Sequence, residues 1–253
     1  ASYLMKTGKK DGVGDRWLGV TPVTYSSTLG LFPLPGAERS LRIIGEYFSD
    51  ADYLLNSNAT KEQFLKKLPD YSIVHLYSHA NADSEGGPVL YFSDSAMHTS
   101  DLQTLQGLKA RLIVLTACET GSGKHRRGEG VFSLARGFAE AGIPATVTTL
   151  WEIDELATYK LTESFYKHLH GGSPGDVAMQ KAKLELLLIS DHEHSLPYYW
   201  SPAILIGQTE AIVERSLFWN YWGYAFVTIV AAILVIIVAR KRLLRSPYNS
   251  YLS

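Results

Sequence analysis

The chain has 253 residues, with 24 Lys and Arg against 25 Asp and Glu, and a formal net charge of −1. Its 46% hydrophobic and 19% charged composition excludes intrinsic disorder, and 21 Gly with 10 Pro excludes a collagenous or low-complexity chain. The balanced charge gives no electrostatic case for nucleic acid, and a single cysteine excludes an intrachain disulfide and a cysteine-rich zinc site.

Residues 1–16 read as an N-terminal segment ahead of one domain over 17–207. The first 36 residues show little periodicity and read as loop and turn, closing on Pro33-Leu34-Pro35-Gly36. Leu41, Ile44, Tyr47 and Phe48 recur at helical spacing and predict an amphipathic helix over 37–48. Thr60 with Gln63 three residues on is a capping-box pattern, opening a short helix that runs to Leu68. Short apolar runs over 72–77, 112–117, 145–150 and 203–206 have the length and the Ile, Val and Thr content of strands buried on both faces. Helices are predicted between them, one ended by Gly142-Ile143-Pro144, the others over 156–169 and 177–189. Strands alternating with helices imply an α/β fold with a mostly parallel sheet flanked by helices, and no internal repeat is visible.

After a linker over 208–216, the stretch from Ser216 to Ala239 carries no charged residue. About 20 apolar residues suffice to cross a bilayer, so a transmembrane helix is expected over 217–239. Aromatic residues from Phe218 to Tyr224 flank one end, and Arg240, Lys241, Arg242 and Arg245 the other, opening a basic tail over 240–253. The positive-inside tendency places that tail in the cytoplasm and the domain on the periplasmic or extracellular side. Tail-anchored insertion, with the domain cytoplasmic, is the alternative.

In parallel α/β sheets, chemistry gathers beyond the carboxyl ends of the strands. Ser78-His79-Ala80-Asn81 follows the first apolar run, Cys118 and a Gly-bearing stretch follow the second, and Trp151-Glu152-Ile153-Asp154 follows the third. A thiol becomes a nucleophile beside a base or a positive field, and a neighbouring histidine supplies both. Backbone N–H groups in the stretch after Cys118 are candidates for holding an oxyanion. The pattern points to a cysteine hydrolase with a His79–Cys118 dyad. Taken singly, Cys118 is also read as a small buried hydrophobe and His79 as a loop residue capping a turn.

These segments also carry a family resemblance. The runs from Ile73 to Ala80 and from Leu112 to Gly121, with Gly128-Glu129-Gly130, Ala141-Gly142-Ile143-Pro144, Leu150 to Asp154 and Tyr199-Trp200-Ser201-Pro202, resemble a CHAT domain of the caspase, separase and gingipain group. The resemblance covers roughly residues 17 to 207 and implies a caspase-like fold and a cysteine endopeptidase with His79 as base and Cys118 as nucleophile. It implies a protein or peptide substrate, no cofactor, and tetratricopeptide repeats further upstream in a longer signalling protein. Ser78 stands where such domains commonly carry threonine, and the upstream strands of the domain are not evident before residue 72. The oxyanion donors are expected at the N–H groups of Cys118 and Ala80. An acidic pocket residue for arginine or lysine is expected at Glu152 or Asp154, with Asp154 equally readable as the cap of the following helix. A non-catalytic scaffold that transmits signals through upstream repeats and the membrane is the alternative function; glutamine amidotransfer lacks a visible synthase partner.

Three remaining motifs carry less. The stretch through Gly123-Lys124 fails the phosphate-loop pattern, because Cys118 and His125 occupy the positions that need glycine and a hydroxyl residue. His168 with His170, and His192 with His194, are spaced two apart and are not expected to hold a metal. His75 shares a face with His79 and reads as a hydrogen-bonded core histidine.

Overall fold

The computed structural model describes residues 16–81, 88–105, 107–119, 129–151, 154–189 and 195–210, followed by 228–230, 233, 236–237 and 240. It divides into two units, residues 1–213 and 214–253. The first holds β1 (Arg16–Thr21), α1 (Ala37–Gly45), β2 (Asp50–Leu55), α2 (Lys61–Lys67), β3 (Ile73–Asn81), β4 (Val89–Tyr91), β5 (Ala96–His98) and α3 (Thr99–Leu102). It continues with β6 (Leu112–Glu119), α4 (Glu129–Glu140), β7 (Ala145–Thr149), α5 (Glu155–His170), α6 (Gly175–Ile189), α7 (Pro197–Trp200) and β8 (Ala203–Gly207).

The strands form one sheet in the order β2-β1-β3-β6-β7-β8, with the β4–β5 hairpin paired onto the end of β3. The pairs from β2 through β7 are parallel, and β8 runs antiparallel to β7. The mostly parallel α/β architecture expected from the sequence is therefore present.

Alternation along β3 sends Ile73 and Tyr77 to one face of the sheet and Val74, Leu76 and Ala80 to the other, all of them buried. On the first face Trp17, Ile73, Tyr77, Leu112 and Val114 pack with Leu41, Ile44, Phe165, Tyr166 and Leu169 of α1 and α5. On the second, Leu18, Val20, Val74, Leu76, Ile113 and Leu115 pack with Phe64, Phe92, Leu102, Leu134 and Phe138. Such two-sided burial is why the central strands read as unbroken apolar runs.

Two strands, β1 and β2, lie where the sequence showed none before residue 72. Residues 16–21 were expected to be loop, yet Trp17, Leu18 and Val20 of β1 are wholly buried. Gly19 is required there: a Cβ at that position would stand 2.4 Å from the indole of Trp17, which folds back over it. The edge strand β2 begins with Asp50 and Asp52, which hid its pattern. Thr60 caps α2 as expected, accepting the Gln63 N–H at 3.2 Å, and the following turn from Leu68 is 3-10 rather than α.

The expectation of a membrane span is corrected. Among the described residues no helix is long and apolar enough to cross a membrane. A span needs about 20 apolar residues in one helix. The rest of 217–239, the basic tail after Arg240 and most of the linker lie outside the described residues. Single-pass anchoring, in either orientation, is withdrawn on this finding.

His75 is a core residue, as its position in the run suggested. It has no exposure, its Nε2 lies 3.2 Å from Thr116 Oγ1, and its ring stacks on Tyr166 with centroids 5.5 Å apart. Burial pushes its pKa down from 6.5 to about 3. The unfolded chain binds this proton near pH 6.5, so the stability tied to the neutral ring is complete above that pH and is lost as pH falls toward 3. Denaturant titrations are expected to show a decline of up to about 1.4 kcal/mol per pH unit from this one proton. His75→Phe, which keeps a ring between Tyr77 and Tyr166, is expected to flatten that decline; an unchanged slope would place the acid sensitivity elsewhere.

Candidate active site

The sheet order brings the site together. β3 and β6 pair in parallel through eight consecutive residues, from Ile73 with Leu112 to Ala80 with Glu119, and in this register His79 is the partner of Cys118. Neighbouring strands lie about 4.8 Å apart, so the two residues are adjacent across the sheet. Both lie inside their strands, not beyond them: β3 runs to Asn81 and β6 to Glu119. The pairing of Ala80 and Asn81 with Leu90 and Val89 of β4 extends the ladder past the apolar run.

His79 is 7% exposed. Its Nε2 lies 2.8 Å from the backbone carbonyl oxygen of Phe32. A carbonyl only accepts, so Nε2 carries the hydrogen and Nδ1 is the acceptor of the neutral ring. Nδ1 is buried and has no hydrogen-bond partner among the described residues. A base held in one tautomer, with its acceptor nitrogen uncommitted, is the arrangement proton transfer from a neighbouring thiol needs.

The segment over 22–36 that provides Phe32 follows β1, next to β3. The Leu34 N–H donates to Val23 O at 2.8 Å, and the Ser26 N–H donates to Ser93 O at 2.8 Å beside the β4–β5 hairpin. Val23 holds φ 56°, a left-handed conformation that a β-branched side chain rarely adopts. Tyr25 from the same segment lies against His79, ring centroids 5.1 Å apart. Burial pushes its phenol up to about 12 despite a hydrogen bond with Ser78, so Tyr25 stays neutral and packs rather than titrates. Ser78, on the opposite face from His79, donates to the Tyr91 carbonyl and ties β3 to β4. No side-chain pattern could have singled out Phe32, because its contact is made by the main chain.

Behind the histidine, Tyr77 O–H sits 3.0 Å from Ser40 Oγ and 2.5 Å from Thr162 Oγ1. Thr162 Oγ1 donates to Thr158 O, and Thr158 Oγ1 donates to Asp154 O at 3.0 Å. This ladder ties β3 to the N-terminus of α5. There Asp154 caps the helix, its Oδ1 accepting the Ala157 N–H at 3.0 Å. Trp151, at the end of β7, donates its indole N–H to Tyr198 O at 3.2 Å and stacks on Tyr198. Glu152 and the Gly-bearing stretch over 120–128 lie outside the described residues.

The first histidine pair is engaged elsewhere. His168 Nε2 lies 2.9 Å from Glu185 Oε1, and hydrogen bonds from Ser164 and Lys167 hold the Glu185 carboxyl down to about 2. His170 stands beside the rings of Tyr47 and Phe48. His192 and His194 lie outside the described residues; among the described residues no group of three His, Cys, Asp or Glu could hold a metal ion.

The CHAT domain family model matches residues 7–208. The chain belongs to the CHAT domain family. No curated protein matches it in sequence. Among solved structures, this CHAT domain is similar to RgpB in the complex of Porphyromonas gingivalis RgpB pro- and mature domains, at TM-score 0.58 and 11% identity over 84% of this chain and 51% of that one. The chain thus spans about half the length of the RgpB chain it matches. It also matches pro-sf-caspase-1, at TM-score 0.48 and 10% identity over 79% of this chain and 91% of that one. A third match is the Saccharomyces cerevisiae separase–securin complex, at TM-score 0.47 and 14% identity over 78% of this chain and 12% of that one. The CHAT domain has an α/β fold with a mostly parallel sheet, similar to that of the RgpB chain.

Because Asn caps as well as Asp, Asp154→Asn is expected to leave stability nearly unchanged in chemical denaturation, whereas Asp154→Ala is expected to cost about 1 kcal/mol. Equal losses in the two variants would show that the carboxylate charge, not the cap, matters at this helix end.

Proposed function

We propose that this CHAT domain is a cysteine endopeptidase acting on a protein or peptide chain. The observation that carries the reading is the register pairing of His79 with Cys118, together with the Phe32 carbonyl that leaves His79 Nδ1 as the proton acceptor. In this mechanism Nδ1 takes the thiol proton and the Cys118 thiolate attacks the scissile carbonyl carbon, forming a C–S bond and an oxyanion. The proposed donors to that oxyanion are the backbone N–H groups of Cys118 and Ala80. Collapse breaks the C–N bond, and the imidazolium gives its proton to the departing amine. Water, deprotonated by Nδ1, then attacks the thioester; its collapse returns the proton to the thiolate and releases the acid. No cofactor enters these steps. A place behind tetratricopeptide repeats in a longer signalling protein belongs to the same reading and is checked by the sequence preceding Ala1.

Covalent labelling with an electrophilic peptide probe tests the dyad. The wild type is expected to form an adduct that Cys118→Ala abolishes and that His79→Ala slows by at least a hundredfold. Absence of any Cys118-dependent adduct would leave the domain as a non-catalytic scaffold.

Selection of arginine or lysine before the scissile bond is the finer part of the proposal and rests on Glu152 and Asp154. A carboxylate can pair with arginine through two charge-assisted hydrogen bonds, although Asp154 Oδ1 is already engaged in the cap. Because Asp154→Asn keeps the cap, a tenfold loss of basic preference in that variant, read from a positional peptide library, would assign the pocket to Asp154. An unchanged preference returns Asp154 to capping alone.

A further inference from the structure

Phe32 has two ends that do different things. Its carbonyl turns inward to His79 Nε2 at 2.8 Å, while its side chain is 79% exposed. A large aromatic ring therefore stands in solvent, one side chain's length from the histidine. The residue is held there: Pro33 restricts the backbone of the residue before it, and the loop is closed by the bond between Leu34 and Val23. Residues 22–36 contain no Asp, Glu, Lys, Arg or His, so this wall offers no charged partner.

The sheet order says which part of a substrate would meet it. β6, with the nucleophile, lies on one side of β3, and β1, which leads into this loop, lies on the other. The acyl half of a substrate becomes bonded to Cys118. The amine half takes its proton from His79 and departs from that residue's side. We propose that Phe32 is a specificity-determining residue on the leaving-group side, its ring contacting an apolar substrate residue immediately after the scissile bond. The inference rests on the peptidase reading above and adds to it the class of residue accepted there. An apolar side chain loses water against the ring, whereas a charged one would be desolvated with no partner in the loop.

The test uses a peptide library varied on both sides of the scissile bond, followed by kcat/KM for peptides differing only in the residue after it. Wild type, Phe32→Ala and Phe32→Leu are compared; all three keep the carbonyl that holds His79. In parallel, Cys118 is labelled by an electrophile carrying acyl-side residues only. Wild type is expected to favour Leu or Phe over Asp after the scissile bond by at least tenfold. Phe32→Ala is expected to lower the ratio of kcat/KM on the Leu and Phe peptides to that on the Asp peptide about tenfold, and to slow labelling by less than it slows cleavage of the Leu and Phe peptides. Phe32→Leu is expected to restore most of the loss. If Phe32→Ala slows labelling as much as cleavage, the residue only positions His79 and the inference is overturned. If cleavage keeps its preference in Phe32→Ala, the ring contacts no substrate residue, whatever else docks on it, and the inference fails while the peptidase reading stands. If wild type shows neither labelling nor cleavage, the peptidase reading fails and takes the inference with it.

Discussion

Pairing of β3 with β6 is the constraint on which the rest depends. Eight consecutive partners hold two strands in one register, and both faces of β3 are buried, so the register has no freedom to drift. A slip by one residue would set His79 opposite Ala117 or Glu119 and send Tyr77 and Leu76 to the wrong layers. The packing of Ile73 and Tyr77 against α1 and α5, and of Val74 and Leu76 on the opposite face, therefore fixes the site as well as the fold. Core and chemistry share one geometric requirement.

A second layer of control reaches His79 from outside the sheet. The Phe32 carbonyl sets the tautomer, Tyr25 covers the ring, and the hydrogen-bond ladder from Tyr77 through Thr162 and Thr158 reaches Asp154. Most of these contacts are made by uncharged groups. The Phe32 carbonyl orients the His79 ring without adding a charge that would have to be desolvated beside it. Val23 in its left-handed conformation is held by the same loop closure that presents Phe32.

Much of this was legible in the sequence, for identifiable reasons. His79 and Cys118 each end a run of buried β-forming residues, and runs in a parallel sheet end on a common edge, so their co-location followed from pattern alone. His75 could be placed in the core because it lies within such a run. The register could not be read, since it is set by packing partners on α1, α2 and α5 that have no local signature. The strand ends were misplaced because Ser78, His79 and Ala80 are held by β4 and β6 and not by apolar pattern. β1 escaped notice because Arg16 and Gly19 interrupt a strand whose burial comes from the indole of Trp17. The apolar stretch after Ser216 was read as a span from its hydropathy and its aromatic and basic flanks, and no described helix is long and apolar enough to bear that reading out.

The division of the His79–Cys118 pair between neighbouring strands also shapes how the chain is made. As synthesis proceeds, β3 can dock on β1 once residues 16–81 have left the ribosome, but its other edge stays open until β6 emerges. During that interval a strand that is buried on both faces in the finished domain presents unpaired N–H and C=O groups, the kind of surface that recruits wrong partners. Arrival of β6 covers that edge and sets Cys118 beside His79 in the same event. A nascent or truncated chain that stops short of β6 thus both lacks the pairing of His79 with Cys118 and is adhesive, and the two conditions end together.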